Sequence, residues 1–198
     1  MLEQCIFAGF GGQGTLLIGK ILACAALLEG KEVTWMPSYG VEMRGGTANC
    51  TVVISDSPVA APVVDEPDAV IAMNTPSLLK FAPTVAPDGA LIVNSSLTNE
   101  TCDRKDIDVV YVPAVKIAEE IKNPKGANVI MLGAYLALRQ HVVLREDLIE
   151  AMKEELGPRK MKFLDGNIRA LDAGFEHVIL QGPTKLQKKR IEETLSLM

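Results

Sequence analysis

The chain has 198 residues, 48% of them hydrophobic and 23% charged, with a formal net charge of -5. That length suits a single domain spanning the whole chain with a sizeable buried core, and the balance is that of a globular protein slightly rich in apolar residues. The acidic balance argues against a nucleic-acid surface, and no apolar run approaches the roughly 20 residues of a membrane span.

The chain opens on Met1-Leu2-Glu3-Gln4 and runs directly into a strand pattern without a basic leader, so the cytoplasm is the expected location. Cys5-Ile6-Phe7-Ala8 reads as a buried strand. Gly9-Phe-Gly-Gly-Gln-Gly-Thr15 follows, with Gly9, Gly11 and Gly14 at the spacing G-x-G-x-x-G and an extra glycine at Gly12. The motif gains meaning from its place between a strand and a helix. Glycine permits the tight turn and a close backbone approach, and the helix start offers unpaired N–H groups to an anion. Phosphate binding is one reading; a turn that only packs tightly is the other.

Leu16 to Leu28 is apolar almost all round, so this helix needs cover on more than one side, from the sheet and from a neighbouring helix or another chain. Gly30 supplies a C-cap. Val33-Thr34-Trp35-Met36 reads as the second strand, stopped by Pro37. A dinucleotide fold would place a ribose-binding acid near this point; the chain has Met36-Pro37-Ser38, and Glu32 lies at the wrong end of the strand. Ordinary NAD binding is disfavoured. The loop Ser38 to Thr47 carries Gly40, Gly45 and Gly46 around Arg44. Arg44 suits a clamp on phosphate or carboxylate, or a solvated arginine paired with Glu42.

Asn49 to Ser55 reads as a strand, and Pro58 to Val63 as an edge strand joined to it in an inserted hairpin. Alternation then resumes. Ala69 to Met73 is a strand, followed by a helix with Thr75 as N-cap and Pro76 at its first position. Ala90 to Val93 and Val109 to Val112 are further strands, the latter leading into a helix from Val115 to Ile121. Apolar strands separated by helices predict an α/β fold: a Rossmann-like, mostly parallel sheet with helices on both faces. Asn74 and Asn94-Ser95-Ser96 fall at strand exits, placed either to bond a ligand or to cap helices. From about residue 126 the chain turns helical, with helices from Asn128 to Arg139, from Arg145 to Leu156 and within Lys162 to Leu180, then a charged tail helix around Lys188-Lys189-Arg190.

Cys5, Cys24, Cys50 and Cys102 form no C-x-x-C pair and read as buried apolar residues, without the spacing of an iron–sulfur cluster. His141 and His177 have no partner pattern and read as incidental helix residues. No nucleophile–base pair or metal-ligand set stands out, so no catalytic residue is assigned to this chain.

Together, Gly9-Phe-Gly-Gly-Gln-Gly14, the loop Pro37-Ser-Tyr-Gly-Val-Glu-Met-Arg-Gly-Gly-Thr47, and Asn128 with Met131-Leu-Gly-Ala134 closely resemble the gamma subunit of the 2-oxoacid:ferredoxin (acceptor) oxidoreductases. The resemblance extends to about Leu180, and Met73-Asn-Thr-Pro-Ser77 with Asn94-Ser-Ser96 look most like the 2-oxoglutarate branch. It implies a multisubunit enzyme that oxidatively decarboxylates a 2-oxoacid to an acyl-coenzyme A. Thiamine diphosphate, magnesium and iron–sulfur clusters would sit in alpha and beta partner subunits, with a ferredoxin-like delta subunit as a further partner and ferredoxin as acceptor. The gamma part would contribute to the coenzyme A side of the cleft and to assembly. Carried over by position, the implied contacts are Gly9, Gly11, Gly12, Gln13, Gly14 and Thr15, then Arg44, Gly45, Gly46 and Thr47, with Asn74 and Asn128 beside them. The isolated chain would be inert and would self-associate through surface meant for partners. A free-standing NAD(P)- or flavin-dependent reductase and a purely structural assembly subunit are the alternatives.

Overall fold

Strand β1 (Leu2–Phe10) is apolar on both faces and lies inside a six-stranded sheet, which leads directly into the glycine turn and helix α1 (Thr15–Leu28). The computed structural model describes residues 1–40, 45–59, 62–182, 184, 187 and 188. Strands β2 (Glu32–Tyr39) and β3 (Thr47–Ser55) come next, then β4 (Ala69–Ala72), helix α2 (Thr75–Phe81), β5 (Ala90–Asn94) and β6 (Asp108–Val112). The sheet order is β2-β3-β1-β4-β5-β6. β1, β4, β5 and β6 run parallel, β3 is antiparallel to both β1 and β2, and β3 is therefore the one reversed strand. The Rossmann-like reading holds, as a mixed sheet.

The hairpin differs from the expected one. Thr47–Ser55 pairs with Glu32–Tyr39 on one side and with β1 on the other, and residues 58, 59, 62 and 63 form no strand. Residues 60 and 61, also within that expected strand, lie outside the described residues. The physical reason is composition. Cys50, Val52, Val53 and Ile54 are buried, as an interior strand requires, whereas Pro58 and Pro62 cannot donate to a ladder. Pro37 does not stop β2 either: the strand continues to Tyr39, with Pro37 opposite Cys50. β2 lies at the sheet edge, where proline is tolerated.

Helices lie on both faces, unequally. The larger core, including Phe7, Ile18, Leu22, Ile54, Ile92, Ile130 and Tyr135, lies under α1, α3 (Ala114–Glu120), α4 (Ala127–Leu138), α5 (Arg145–Lys160) and α6 (Leu164–Gln181). The smaller core, with Ile6, Val70, Leu78, Leu91 and Val93, lies under α2. α5 contains a break at Gly157, φ 61°, so its regular part ends where the amphipathic pattern does. The proposed tail helix falls mostly beyond the described residues, of which Gln187 and Lys188 are helical. His141 lies in a turn after α4 rather than in a helix, while His177 is in α6. Cys5 and Cys50 are buried and Cys24 and Cys102 half-buried, all as free thiols; burial pushes the Cys50 thiol up to about 12.

Two contacts fix α4 over the sheet. Its Gly133 and Gly174 of α6 meet where a Cβ on either would overlap the Leu171 or Ile130 carbonyl oxygen, so the two helix backbones touch. Glu3, 0% exposed, accepts from Arg139 Nε at 2.9 Å and Nη2 at 2.5 Å and from the Tyr135 hydroxyl at 3.2 Å. Burial, with the charge of Glu3, holds the Cys5 thiol and the Tyr135 phenol well above their ordinary values, so both stay protonated beside that carboxylate. A buried carboxylate needs such company. The network anchors the C-terminal end of α4 to the start of β1 and directs the N-terminal end of α4 at the glycine turn.

Candidate functional site

The glycine turn leaves β1 at the carboxyl edge of the parallel strands, the edge at which open α/β sheets bind ligands. Gln13 N donates to the Phe10 carbonyl at 3.0 Å, and Gly12 and Gly14 take φ of 100° and 77°. L side chains avoid both values, which explains glycine at these two places. Gly14 is the N-cap of α1, and among the described residues no side chain caps that end. The first-turn N–H groups and the positive end of the helix dipole therefore face the turn.

The motif glycines divide by purpose. A Cβ on Gly9 would lie 2.6 Å from Gln13 Oε1 and 2.8 Å from Thr15 Cγ2, and a Cβ on Gly14 would overlap the Asn128 amide. Gly9 and Gly14 thus make room for the protein's own side chains. Gly12 is exposed, and a Cβ there would meet nothing within 4 Å. Gln13 Oε1 accepts from Phe10 N at 2.7 Å and from Asn74 Nδ2 at 3.0 Å, while Asn128 Nδ2 donates to the Gly14 carbonyl at 3.3 Å. Asn74 Oδ1 accepts from Ser77 N at 3.0 Å, so Asn74 and not Thr75 is the N-cap of α2. Both polar groups of Asn74 are engaged within the protein, and the residue is 4% exposed.

The second glycine-rich loop meets the first. Gly11 N donates to the Gly46 carbonyl at 2.9 Å, and Gly45 N donates to the Gly11 carbonyl at 3.3 Å. Gly45, Gly46 and Thr47 are thereby held against the turn. Arg44 lies outside the described residues. Further along the edge, Asn94 Oδ1 accepts from Ser96 N at 3.2 Å, and Ser96 Oγ accepts from Val115 N at 3.2 Å, so these residues tie the loop after β5 to the first turn of α3.

A cleft of about 670 Å³ opens beside the turn, between α1 and β2. Phe10, Gly11, Gly12, Gly14 and Thr15 form one side; Leu16, Leu17, Trp35, Pro37, Tyr39 and Ala48 supply apolar and aromatic walls. Sequence reasoning missed Trp35, Pro37 and Tyr39 as wall residues. The signal was present in the alternation Val33, Trp35, Pro37, Tyr39, which places all four on one face of β2 once the strand is allowed through Pro37. β2 ends in Ser38-Tyr39 and carries its glutamate at the opposite end, so the strand itself brings no carboxylate to the end where a ribose would need one. Among the described residues no three His, Cys, Asp or Glu side chains come together as a metal site, and no helix is long and apolar enough to cross a membrane.

Comparison with known proteins matches residues 4–177 to the pyruvate ferredoxin/flavodoxin oxidoreductase family. The chain is 43% identical over 169 residues to the ketoisovalerate oxidoreductase subunit VorA of Methanothermobacter thermautotrophicus, a match covering 85% of this chain and 35% of that one. It is 34% identical over 179 residues to the 2-oxoglutarate synthase subunit KorC of Methanocaldococcus jannaschii, covering 89% of this chain and 94% of KorC. It thus spans about a third of the length of the VorA relative but nearly all of KorC. Among solved structures, the gamma subunit of the keto/oxoacid ferredoxin oxidoreductase from Geobacter sulfurreducens superposes with a TM-score of 0.75 at 29% identity, covering 90% of this chain and 99% of that one.

Proposed function

The chain belongs to the pyruvate ferredoxin/flavodoxin oxidoreductase family, and from that premise we propose that it is the gamma-type subunit of a 2-oxoacid:ferredoxin oxidoreductase, lining the coenzyme A side of a shared cleft. The observation that carries this reading is the clasp between the two glycine-rich loops, Gly11 to Gly45 and Gly46, at the mouth of an aromatic-walled cleft and beside a helix start that no described side chain caps. Coenzyme A carries phosphates for the N–H groups of the turn and an adenine ring for the Trp35 and Tyr39 walls. Gly12 offers the approach, and Arg44 supplies the planar cation that holds a phosphate or the substrate carboxylate. Gln13, Asn74 and Asn128 support the turn from behind.

In this reading thiamine diphosphate, magnesium and the iron–sulfur clusters are held by alpha and beta partners, with a delta subunit and ferredoxin completing electron transfer. Those groups supply decarboxylation and electron transfer when bound; this chain binds and orients coenzyme A. The substrate reading is 2-oxoglutarate, supported by the near full-length match to KorC. Ketoisovalerate is the second reading, supported by the higher identity to VorA. The exposed apolar side chains Leu17, Leu27, Leu28, Trp35 and Tyr39 suit a chain that buries surface against partners and self-associates without them.

The test is purification of the chain with its native partners and assay of viologen reduction with each oxoacid, with and without coenzyme A. The complex should require both an oxoacid and coenzyme A, and the chain alone should be inactive. Nicotinamide- or flavin-dependent reduction by the chain alone would overturn the assignment.

A further inference from the structure

We propose that Asn74 is a positioning residue that acts through Gln13 to hold the glycine turn in its binding shape before any ligand arrives. The proposal rests on the reading of this turn as the coenzyme A contact.

The orientation of both amides follows from obligate donors at each end. Phe10 N can only donate, so its partner at 2.7 Å is the Gln13 carbonyl oxygen. Ser77 N can only donate, so its partner at 3.0 Å is the Asn74 carbonyl oxygen, which leaves Asn74 Nδ2 to donate to Gln13 Oε1 at 3.0 Å. Neither amide can flip without losing a backbone bond. The relay runs from the start of α2, through Asn74 and Gln13, to the backbone of Phe10.

This relay closes the turn. Residues 10 to 13 are joined by Gln13 N to the Phe10 carbonyl and by Phe10 N to Gln13 Oε1, a ring made entirely within the protein. Gly9 has to lack a side chain for that ring to form, because its Cβ would lie 2.6 Å from Gln13 Oε1. Asn74, 4% exposed and bonded through both polar groups, acts on the turn without a surface to offer a ligand. A turn already ordered loses less conformational freedom on binding, so the relay should appear in affinity rather than in chemistry.

Two variants separate the relay from the helix cap. Asn74→Asp keeps the acceptor for Ser77 N but replaces the donor to Gln13 with an oxygen that repels Oε1. Asn74→Ser also keeps a good cap but is too short to reach Gln13. In the assembled complex both should raise KM for coenzyme A about tenfold, the equivalent of one hydrogen bond, with kcat and KM for the oxoacid within about twofold. The Asn74→Asp effect should shrink as pH falls, because the protonated acid regains a donor; the Asn74→Ser effect should not change. Tm should fall slightly in Asn74→Ser, by about the loss of one hydrogen bond, and further in Asn74→Asp, whose charge is buried against Oε1. Wild-type KM for coenzyme A in both variants overturns the relay, as does a movement of kcat and both KM values together. If the wild-type complex itself shows no saturable dependence on coenzyme A, the functional reading fails instead.

Discussion

Replacing Gly14 with alanine tests how the turn is built. The residue takes φ 77°, and a left-handed conformation costs a residue with a Cβ about 1–2 kcal/mol. The new methyl would overlap the Asn128 amide, which must move and give up its 3.3 Å bond to the Gly14 carbonyl, a further loss of about 0.5–1.5 kcal/mol. The sum is about 2–3 kcal/mol, which for a chain of this size lowers Tm by roughly 4–12 °C. Asn128→Ala alone should cost about 1 kcal/mol, the bond by itself. In the double variant the backbone strain remains but the bond is lost only once, so its cost should fall about 1 kcal/mol short of the sum of the singles. Thermal and urea unfolding of the three variants measure this. Additivity within about 0.3 kcal/mol, or an unchanged Tm for Gly14→Ala, would refute the contact between α4 and the turn.

Gly174→Ala forces a methyl into the Ile130 carbonyl and should destabilise by at least about 1–3 kcal/mol in urea unfolding; a neutral result would mean that the two helices do not touch there. Arg139→Met leaves the buried Glu3 without its cation and should cost about 3–5 kcal/mol by the same measurement, with wild-type stability as the contrary outcome. Burial would raise the Glu29 carboxyl, but bonds from the Lys31 ammonium and Leu144 N–H outweigh it and hold the group below the usual range. Its contribution is complete above the ordinary value of about 4.3 and is lost as pH falls through the lowered one, so Glu29→Gln should show a shallower loss of Tm between about pH 5 and 3. Parallel acid profiles would contradict that. Trp35→Ala removes one aromatic wall of the cleft and should raise KM for coenzyme A in the complex about tenfold while sparing the oxoacid; equal constants would take Trp35 out of the site.

The parallel strands were legible because β1, β4, β5 and β6 are short apolar runs, and burial on both faces leaves that mark on a sequence. The turn was legible because a left-handed backbone selects glycine at Gly12 and Gly14. The choice of partner for β3 was not. Strand pairing is decided by which strand tolerates the edge, and β2, with Glu32, Pro37 and Ser38, tolerates it without looking like a strand throughout. The cap of α2 was missed by one residue because Asn74 and Thr75 both suit the role, and proline fits the first or second position equally well. At the site, spacing identified the glycines but not their purposes. Whether a missing Cβ faces open space, as at Gly12, or leaves room for Gln13 and Asn128, as at Gly9 and Gly14, depends on side chains that arrive from α4 and from the turn itself.

The most direct test of the central claim is hydrogen–deuterium exchange on the assembled complex with and without coenzyme A. Binding at this cleft should slow amide exchange in the segments Gly9–Leu17 and Trp35–Ala48 and leave the buried network around Glu3 and Arg139 unaffected. If coenzyme A saturates turnover while exchange in those two segments stays the same, it binds elsewhere, and the glycine turn is an element of packing alone.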